Sequence, residues 1–164
     1  MRILAIMSLC LAVLGLAGCG SKFRSYNGPE VTQLLVKKSQ RKMYLLHGNE
    51  VLKEYKIALG GNPVGPKQIE GDSKTPEGFY RIDRRNPNSA YHLSLGISYP
   101  NDQDRANAKA QDKSPGGDIF IHGRAKANRG RGKDWTAGCI AVKDGQMEKV
   151  YSMVKVGTPI YIAP

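Results

Sequence analysis

The stretch 119–142, IFIHGRAKANRGRGKDWTAGCIAV, sets two short apolar runs on either side of a loop rich in glycine and basic residues. The first run follows a turn at 115–118 and predicts a buried strand that delivers His122 at its carboxyl end. The second run, 140–142, predicts that the chain passes from the loop into a helix or a strand directly after Cys139. The two runs therefore place a histidine and a cysteine at the two ends of one loop.

A lone cysteine beside a glycine, with a histidine upstream, is the minimum set of residues for thiol nucleophilic catalysis. The thiolate of Cys139 attacks a carbonyl group, while the imidazole of His122 takes up the proton and later returns it. Gly138 lets backbone amides approach the attacked carbonyl closely, as an oxyanion hole requires. The alternative is that Cys139 is a buried structural residue on a strand, because free cysteine is among the most buried residue types.

Outside this stretch, the alternation of polar and apolar residues predicts a single domain built mainly from β-strands. Strands are expected over 31–36, 42–46, 51–59, 79–82, 91–101 and 156–162. Helices are expected over 102–112, where the residues are mostly polar, and over 143–154, where apolar residues recur at helical spacing. The fold class is therefore mainly β, sandwich-like, with one or two short helices.

Length and composition limit the partners that this chain can have. At 164 residues with 40% hydrophobic content, it has room for one domain and a short appendage. Its net charge is +11, and an excess of this size favours an anionic partner. The sequence shows no metal-ligand spacing and no phosphate-binding glycine loop, so neither a metal nor a cofactor is expected.

The N-terminus has the features of an export signal. Arg2 supplies the positive region, and residues 3–14 form an apolar run that is too short to span a bilayer comfortably. Residues 16–19, Leu-Ala-Gly-Cys, resemble the bacterial lipobox, which makes Cys19 the expected site of lipidation. The alternative is an ordinary cleaved signal with a chance cysteine at this position.

This interpretation divides the chain into a signal peptide (1–18), a lipidated tether (19–30) and a domain (31–164). Removal of the signal would take away only Arg2 and leave 24 basic against 14 acidic residues, a net charge of +10. Export argues against nucleic acid as the anionic partner. Because Gly20 rather than aspartate follows the lipidated position, a Gram-negative host would hold the protein on the periplasmic side of the outer membrane.

The cysteine count supports a reactive thiol independently. Of the three cysteines, Cys10 leaves with the signal and Cys19 is taken up by the lipid. Cys139 is then an unpaired thiol in an oxidising compartment, where an odd cysteine is either reactive or a liability.

Three motifs combine into a recognisable set: His-Gly at 122–123, Thr-Ala-Gly-Cys-Ile at 136–140, and Gly-Asp-x-x-Thr-Pro-x-Gly-x-Tyr at 71–80. Together they resemble the L,D-transpeptidase (YkuD-type) family of peptidoglycan enzymes. The resemblance implies a YkuD-like β-sandwich in which Cys139 is the nucleophile and His122 its base. It also implies that the Gly123 carbonyl orients the imidazole, and that Cys139 lies near the start of a short helix whose amides lower the pKa of the thiol.

The resemblance also implies which residues contact the substrate. Tyr91 and His92 are expected to line the groove, although a structural role for His92 is the alternative, and the loop residues Thr136 and Ala137 surround the nucleophile. The basic residues of the loop are expected either to guide the acyl-donor stem or to be simply solvated. They are Arg124, Lys126, Arg129, Arg131 and Lys133.

Two departures from the family pattern leave the reaction open. Many members have Ser-His-Gly-Cys where this chain has Thr-Ala-Gly-Cys at 136–139, and many have arginine where this chain has Ala141. The implied activity is ping-pong acyl transfer from tetrapeptide stems by a monomeric, wall-directed lipoprotein. The alternatives are a hydrolase that cuts cross-links or releases wall-bound lipoprotein, a wall-binding protein without catalysis, and a cysteine peptidase acting on protein.

Overall fold

Eight strands form one sheet in the computed structural model, which describes residues 21–124 and 132–164. The elements in chain order are β1 (Gln33–Lys37), β2 (Lys42–His47), β3 (Glu50–Lys56), β4 (Gly78–Asn86), β5 (Ser94–Ile97), α1 (Asp102–Lys109), β6 (Phe120–His122), β7 (Ile140–Ala141), α2 (Asp144–Met153) and β8 (Pro159–Ala163). The strand order is β3-β2-β1-β8-β4-β5-β6-β7. The expected signal peptide, the lipidation site Cys19 and the loop residues Lys126, Arg129 and Arg131 lie outside the described residues.

Strands β1, β2 and β8 place alternate side chains in the core, because successive side chains of a strand point to opposite faces. Their inward side chains are Leu34, Val36, Met43, Leu45, Ile160 and Ile162. Helix α2 adds Met147, Val150, Tyr151 and Met153 to the same core. The prediction of a mainly β domain with two short helices is confirmed.

The sheet curls until its two edges approach each other. Residues 57–60, which continue from β3, reach β7 through two bonds between Ala58 and Ala141, with N–O distances of 2.9 and 2.8 Å. The Thr136 amide also donates to the Leu59 carbonyl over 3.1 Å. Strand β3 therefore ends at Lys56, earlier than the predicted 51–59, because the following residues cross to the opposite edge of the sheet. This closure holds the segment before Cys139 in place.

Lys38 fixes the long loop between β3 and β4. Its side chain is only 2% exposed, and its Nζ donates to the carbonyls of Gly65 (2.7 Å) and Thr75 (2.9 Å) and to Glu77 Oε1 (2.7 Å). A buried ammonium group requires such partners, and burial lowers the pKa of Lys38 despite them. The Thr-Pro-x-Gly turn is thus anchored to β1, and Thr75 Oγ1 also accepts the Gly60 amide over 3.2 Å.

The predicted strand 91–101 is shorter in the structure. Strand β5 begins at Ser94, because His92 has a positive φ of 74° that breaks the extended backbone before it. The predicted helix at 102–112 is observed as α1, in which Asn101 and Asp104 form a capping box and Ala108 alone is buried. Neither of the helices in the described ranges is long and apolar enough to cross a membrane.

Candidate active site

Parallel pairing of β6 with β7 brings the two ends of the 122–139 loop together. The register joins Ile121 to Ile140 and His122 to Ala141, so Cys139 lies next to Phe120. The Phe120 amide donates to Cys139 Sγ over 3.4 Å. As a result, the side chains of His122 and Cys139 both line one cavity of about 450 Å³.

The tautomer of His122 follows from its backbone contact. Its Nδ1 lies 2.6 Å from the Gly123 carbonyl oxygen, and since a carbonyl can only accept, Nδ1 carries the proton and donates it. Nε2 is therefore the nitrogen with a free lone pair. The ring is 4% exposed, and burial lowers the pKa of His122, an effect that the bond to Gly123 partly opposes.

Burial also raises the pKa of the Cys139 thiol above its ordinary value. The Phe120 amide and the charge of Lys67 lower this pKa, whereas the carboxylate of Asp118 raises it further. The expected helix start at Cys139 is wrong, because the cysteine precedes strand β7 and helix α2 begins only at Asp144. Both shifts favour the uncharged forms of the pair, a thiol and a neutral imidazole.

The turn before Cys139 depends on Gly138. Its φ is +137°, a conformation that L-residues rarely adopt, and a Cβ at this position would lie 2.7 Å from the Lys74 carbonyl oxygen. Thr136 Oγ1 closes the turn by donating to the Cys139 carbonyl (2.7 Å) and accepting the Gly138 amide (3.2 Å). The Gly138 amide is therefore already bonded. Among the described residues, the amide of Cys139 itself makes no such bond, which makes it the available oxyanion donor.

We expect Gly138→Ala to destabilise the protein by about 2 kcal/mol, because the new methyl group meets backbone on a strained residue. In a domain of this size the midpoint of thermal unfolding should fall by about 4–8 °C, and turnover should fall with it. Gly145→Ala is the matched control, since nothing lies within 4 Å of its Cβ position in α2. Equal unfolding midpoints for the two variants would show that the turn is not strained.

Aromatic rings form one wall of the cavity. The Tyr91 ring lies 4.5 Å from the His122 ring and 6.1 Å from that of Trp135, and the Trp135 ring meets His122 edge-on at 5.7 Å. Sequence reasoning missed Trp135, although it is the only tryptophan of the chain and directly precedes Thr136. Its indole Nε1 is buried and has no hydrogen-bond partner in the described part of the chain.

The two other residues expected at the groove differ in their placement. His92 does not line the cavity, because its Nε2 lies 3.1 Å from Glu148 on α2, which also accepts from Arg24 over 2.6 and 2.8 Å. Arg124 does not line the cavity itself, but its guanidinium group lies 5.7 Å from the ring centre of Trp135, which does, and its amide donates to Asp144 over 2.6 Å. The position of His92 thus favours a structural role over a place in the substrate groove.

Ala137 and Cys139 also line a second cavity of about 310 Å³. Its other lining residues include Lys67, Glu70, Ser73 and Asp118. Lys67 is ion-paired with Asp72 and Asp118 with Arg84, each over 2.9 Å, so Glu70 is the lining charge that has no ion pair among the described residues. Cys139 therefore lies at the border of two cavities. Among the described residues, no cluster of three or more His, Cys, Asp or Glu side chains is placed to hold a metal ion.

A curled, mainly β domain in which a buried histidine and a cysteine line one cavity is the arrangement that the resemblance to the L,D-transpeptidases implies. The chain belongs to the YkuD family of L,D-transpeptidase catalytic domains, whose family model matches residues 32–162. Among curated proteins it is similar to YafK of Escherichia coli (strain K12), with 28% identity over 93% of this chain and 62% of YafK.

Solved structures agree with this assignment. Pgp2 of Campylobacter jejuni, described as a helical cell shape determining protein, is 31% identical over 88% of this chain and 51% of its own, with a TM-score of 0.63. An L,D-transpeptidase from Mycobacterium smegmatis shares the fold at 15% identity, with a TM-score of 0.55 over 82% of this chain and 59% of its own. The chain spans about three fifths of the length of YafK and half that of Pgp2.

Proposed function

We propose that this protein is a peptidoglycan L,D-transpeptidase in which Cys139 is the nucleophile and His122 the general base. The observation that carries the proposal is the shared cavity: His122, whose Nε2 is not engaged by Gly123, and Cys139 both line it, together with Tyr91 and Trp135. The charge of the chain supports the substrate class, because peptide stems of the wall carry free carboxylates.

The proposed reaction has two steps. His122 Nε2 takes the thiol proton as Cys139 Sγ attacks the carbonyl of the third residue of a tetrapeptide stem, and the Cys139 amide stabilises the oxyanion. The intermediate collapses to a thioester, and the leaving D-alanine takes the proton from Nε2. An amine then attacks the thioester, loses its proton to His122 and releases the free thiol. Water in place of the amine would give hydrolysis.

The second cavity offers a place for an amine acceptor. It adjoins Cys139, its lining includes neither Tyr91 nor Trp135, and the Glu70 carboxylate, which has no ion pair among the described residues, can attract an ammonium group. An acceptor held there would lie close to the thioester. We also propose that a lipid at Cys19 anchors the domain on the periplasmic side of the membrane. This anchor would keep the enzyme close to its two substrates in the wall.

Mass spectrometry of the full chain in detergent tests this function. The protein is incubated with a synthetic tetrapeptide stem, alone and with a D-amino acid or a second stem as the amine. An acyl adduct on Cys139 and exchange of the terminal residue would support the transpeptidase. A tripeptide product without exchange would assign the hydrolase, and the absence of both adduct and product would favour a wall-binding protein.

A further inference from the structure

A row of apolar side chains crosses the outer face of the sheet, which is the face turned away from the core. Register places Tyr44 opposite Leu35, Leu35 opposite Tyr161 and Tyr161 opposite Phe79, on the adjacent strands β2, β1, β8 and β4. Phe79 is 73% exposed and stacks on Tyr161, with ring centres 4.4 Å apart and planes at 25°. With neighbouring strands about 4.8 Å apart, this aromatic row is about 14 Å long.

The aromatic row is only one side chain wide, and cations border it on both sides. Lys37 and Lys42 lie opposite each other on one side; Lys37 Nζ is 5.7 Å from the centre of the Tyr44 ring, and Lys42 is paired with Glu54 over 2.8 Å. Arg81 lies on the other side, two residues beyond Phe79 on β4. A globular partner would need a broad patch with few charges at its centre, whereas this narrow, cation-bordered row fits a linear anionic ligand.

The aromatic row continues toward the active-site cavity along β4. A bulge in the register after Ile82 keeps Arg84 on the outer face, where its guanidinium group lies 4.5 Å above the Phe120 ring and pairs with Asp118 over 2.9 Å. Phe120 and Asp118 both line the cavity of about 450 Å³. Arg84 is about 16 Å along the strand from Phe79, which is more than the ~14 Å that an extended tetrapeptide can span. A ligand that joins the aromatic row to the cavity must therefore itself extend along β4 toward Arg84.

We infer that the aromatic row, Tyr44–Leu35–Tyr161–Phe79, is a binding site for a glycan strand of the wall polymer. The faces of pyranose rings present C–H groups that pack against aromatic rings, and the sugar hydroxyls and the carboxylates of the attached stems can bond to the flanking cations. A strand that runs from the row along β4 toward Arg84 would present a stem near the mouth of the cavity, which raises the local concentration of stems at Cys139. The choice of polymer rests on the proposed function; the site itself rests on the outer face alone.

Calorimetric titration of the full-length Cys139→Ala protein in detergent with glycan strands stripped of their stems tests the site without any turnover. Phe79→Leu and Tyr161→Leu, made in this background, should each weaken binding by about three- to tenfold, since each removes one ring of the stacked pair. Phe79→Trp keeps a ring and should retain binding. Val64→Ala, at a residue 79% exposed on the loop before β4, is the matched control and should bind as the parent does.

Kinetics with Cys139 restored separate this site from the catalytic proposal. Phe79→Leu should raise the KM for polymeric wall and leave turnover of a free tetrapeptide unchanged. Equal affinities for the parent and both leucine variants, or no binding of stripped glycan by the parent, would overturn the site. Self-association that is lost in Phe79→Leu would instead assign the face to a second copy of the chain. Glycan binding by a protein whose Cys139 forms no adduct would retain the site and reject the transpeptidase.

Discussion

Replacement of Cys139 by serine is expected to lower the kcat for stem-peptide turnover by more than about 10³-fold. A hydroxyl group ionises far less readily than a thiol, and a histidine that is buried and neutral cannot compensate by donating positive charge. The fold should not change, because the hydrogen bonds of Sγ among the described residues are those with the Phe120 amide at 3.4 Å and the Asp118 carbonyl at 3.5 Å. A serine hydroxyl can make both contacts, so the unfolding midpoint should stay within about 2 °C of the wild type.

Two measurements make this prediction specific to the thiol. Alkylation of the wild type with iodoacetamide should abolish turnover in proportion to modification, and a stem peptide bound in the cavity should slow it. Ser89→Ala is the control, because Ser89 lines the same cavity but contributes no chemistry to the proposed steps. A serine variant that retains a tenth of the wild-type rate would remove Cys139 from the role of nucleophile.

The local pattern of the sequence was sufficient to predict the strands of the central sheet. The apolar runs within 31–36 and 156–162 predicted strands that the structure has as β1 and β8, but Leu35 and Tyr161 are as apolar as their buried neighbours, so the inward set became clear only from the structure. The site required the motif as well, since residues 17 positions apart meet only because β6 and β7 pair in parallel. That pairing depends in turn on the crossing of residues 57–60, a contact distant in sequence that no local period encodes.

Burial and tertiary contact explain the features that sequence reasoning got wrong or missed. Lys38 has the sequence context of a solvated turn residue, yet it is buried because three oxygen atoms of distant residues converge on it. The resemblance placed His92 at the groove, with a structural role as the alternative; in the structure its φ is positive and its ring contacts Glu148. The role of Trp135 in the cavity wall follows from its contact with the His122 ring, and this contact forms only when the ends of the loop meet in the folded protein.

Substitution of His122 by asparagine is expected to reduce kcat by about 10³-fold while the fold survives. The asparagine amide can still donate to the Gly123 carbonyl, as Nδ1 does in the wild type, but it has no counterpart of Nε2 to accept the thiol proton. Binding of the stem should be little affected, because the loss falls on a step that moves a proton. The rate of adduct formation on Cys139, measured by mass spectrometry in a single turnover, separates this loss from a defect in binding.

The pH dependence of the same pair of proteins distinguishes a general base from a merely structural histidine. Burial lowers the pKa of His122, so wild-type kcat/KM should stay constant as pH falls to about 6.5 and decline only below it, when Nε2 becomes protonated. The free energy of unfolding should change in the same direction. His122 is protonated near pH 6.5 in the unfolded chain but only at lower pH in the folded protein. The stability that the neutral imidazole contributes above about pH 6.5 is therefore lost as the pH falls.

His122→Asn should lack this acid limb in both kcat/KM and stability. Its residual rate should instead rise with pH toward the raised pKa of the Cys139 thiol, because the thiol must then ionise without a base. The neighbouring charges of Asp118 and Lys67 are the same in both proteins, so a difference between the two profiles belongs to the imidazole. Identical acid limbs in the wild type and the asparagine variant would mean that another group accepts the proton. His122 would then have only a structural role in the cleft.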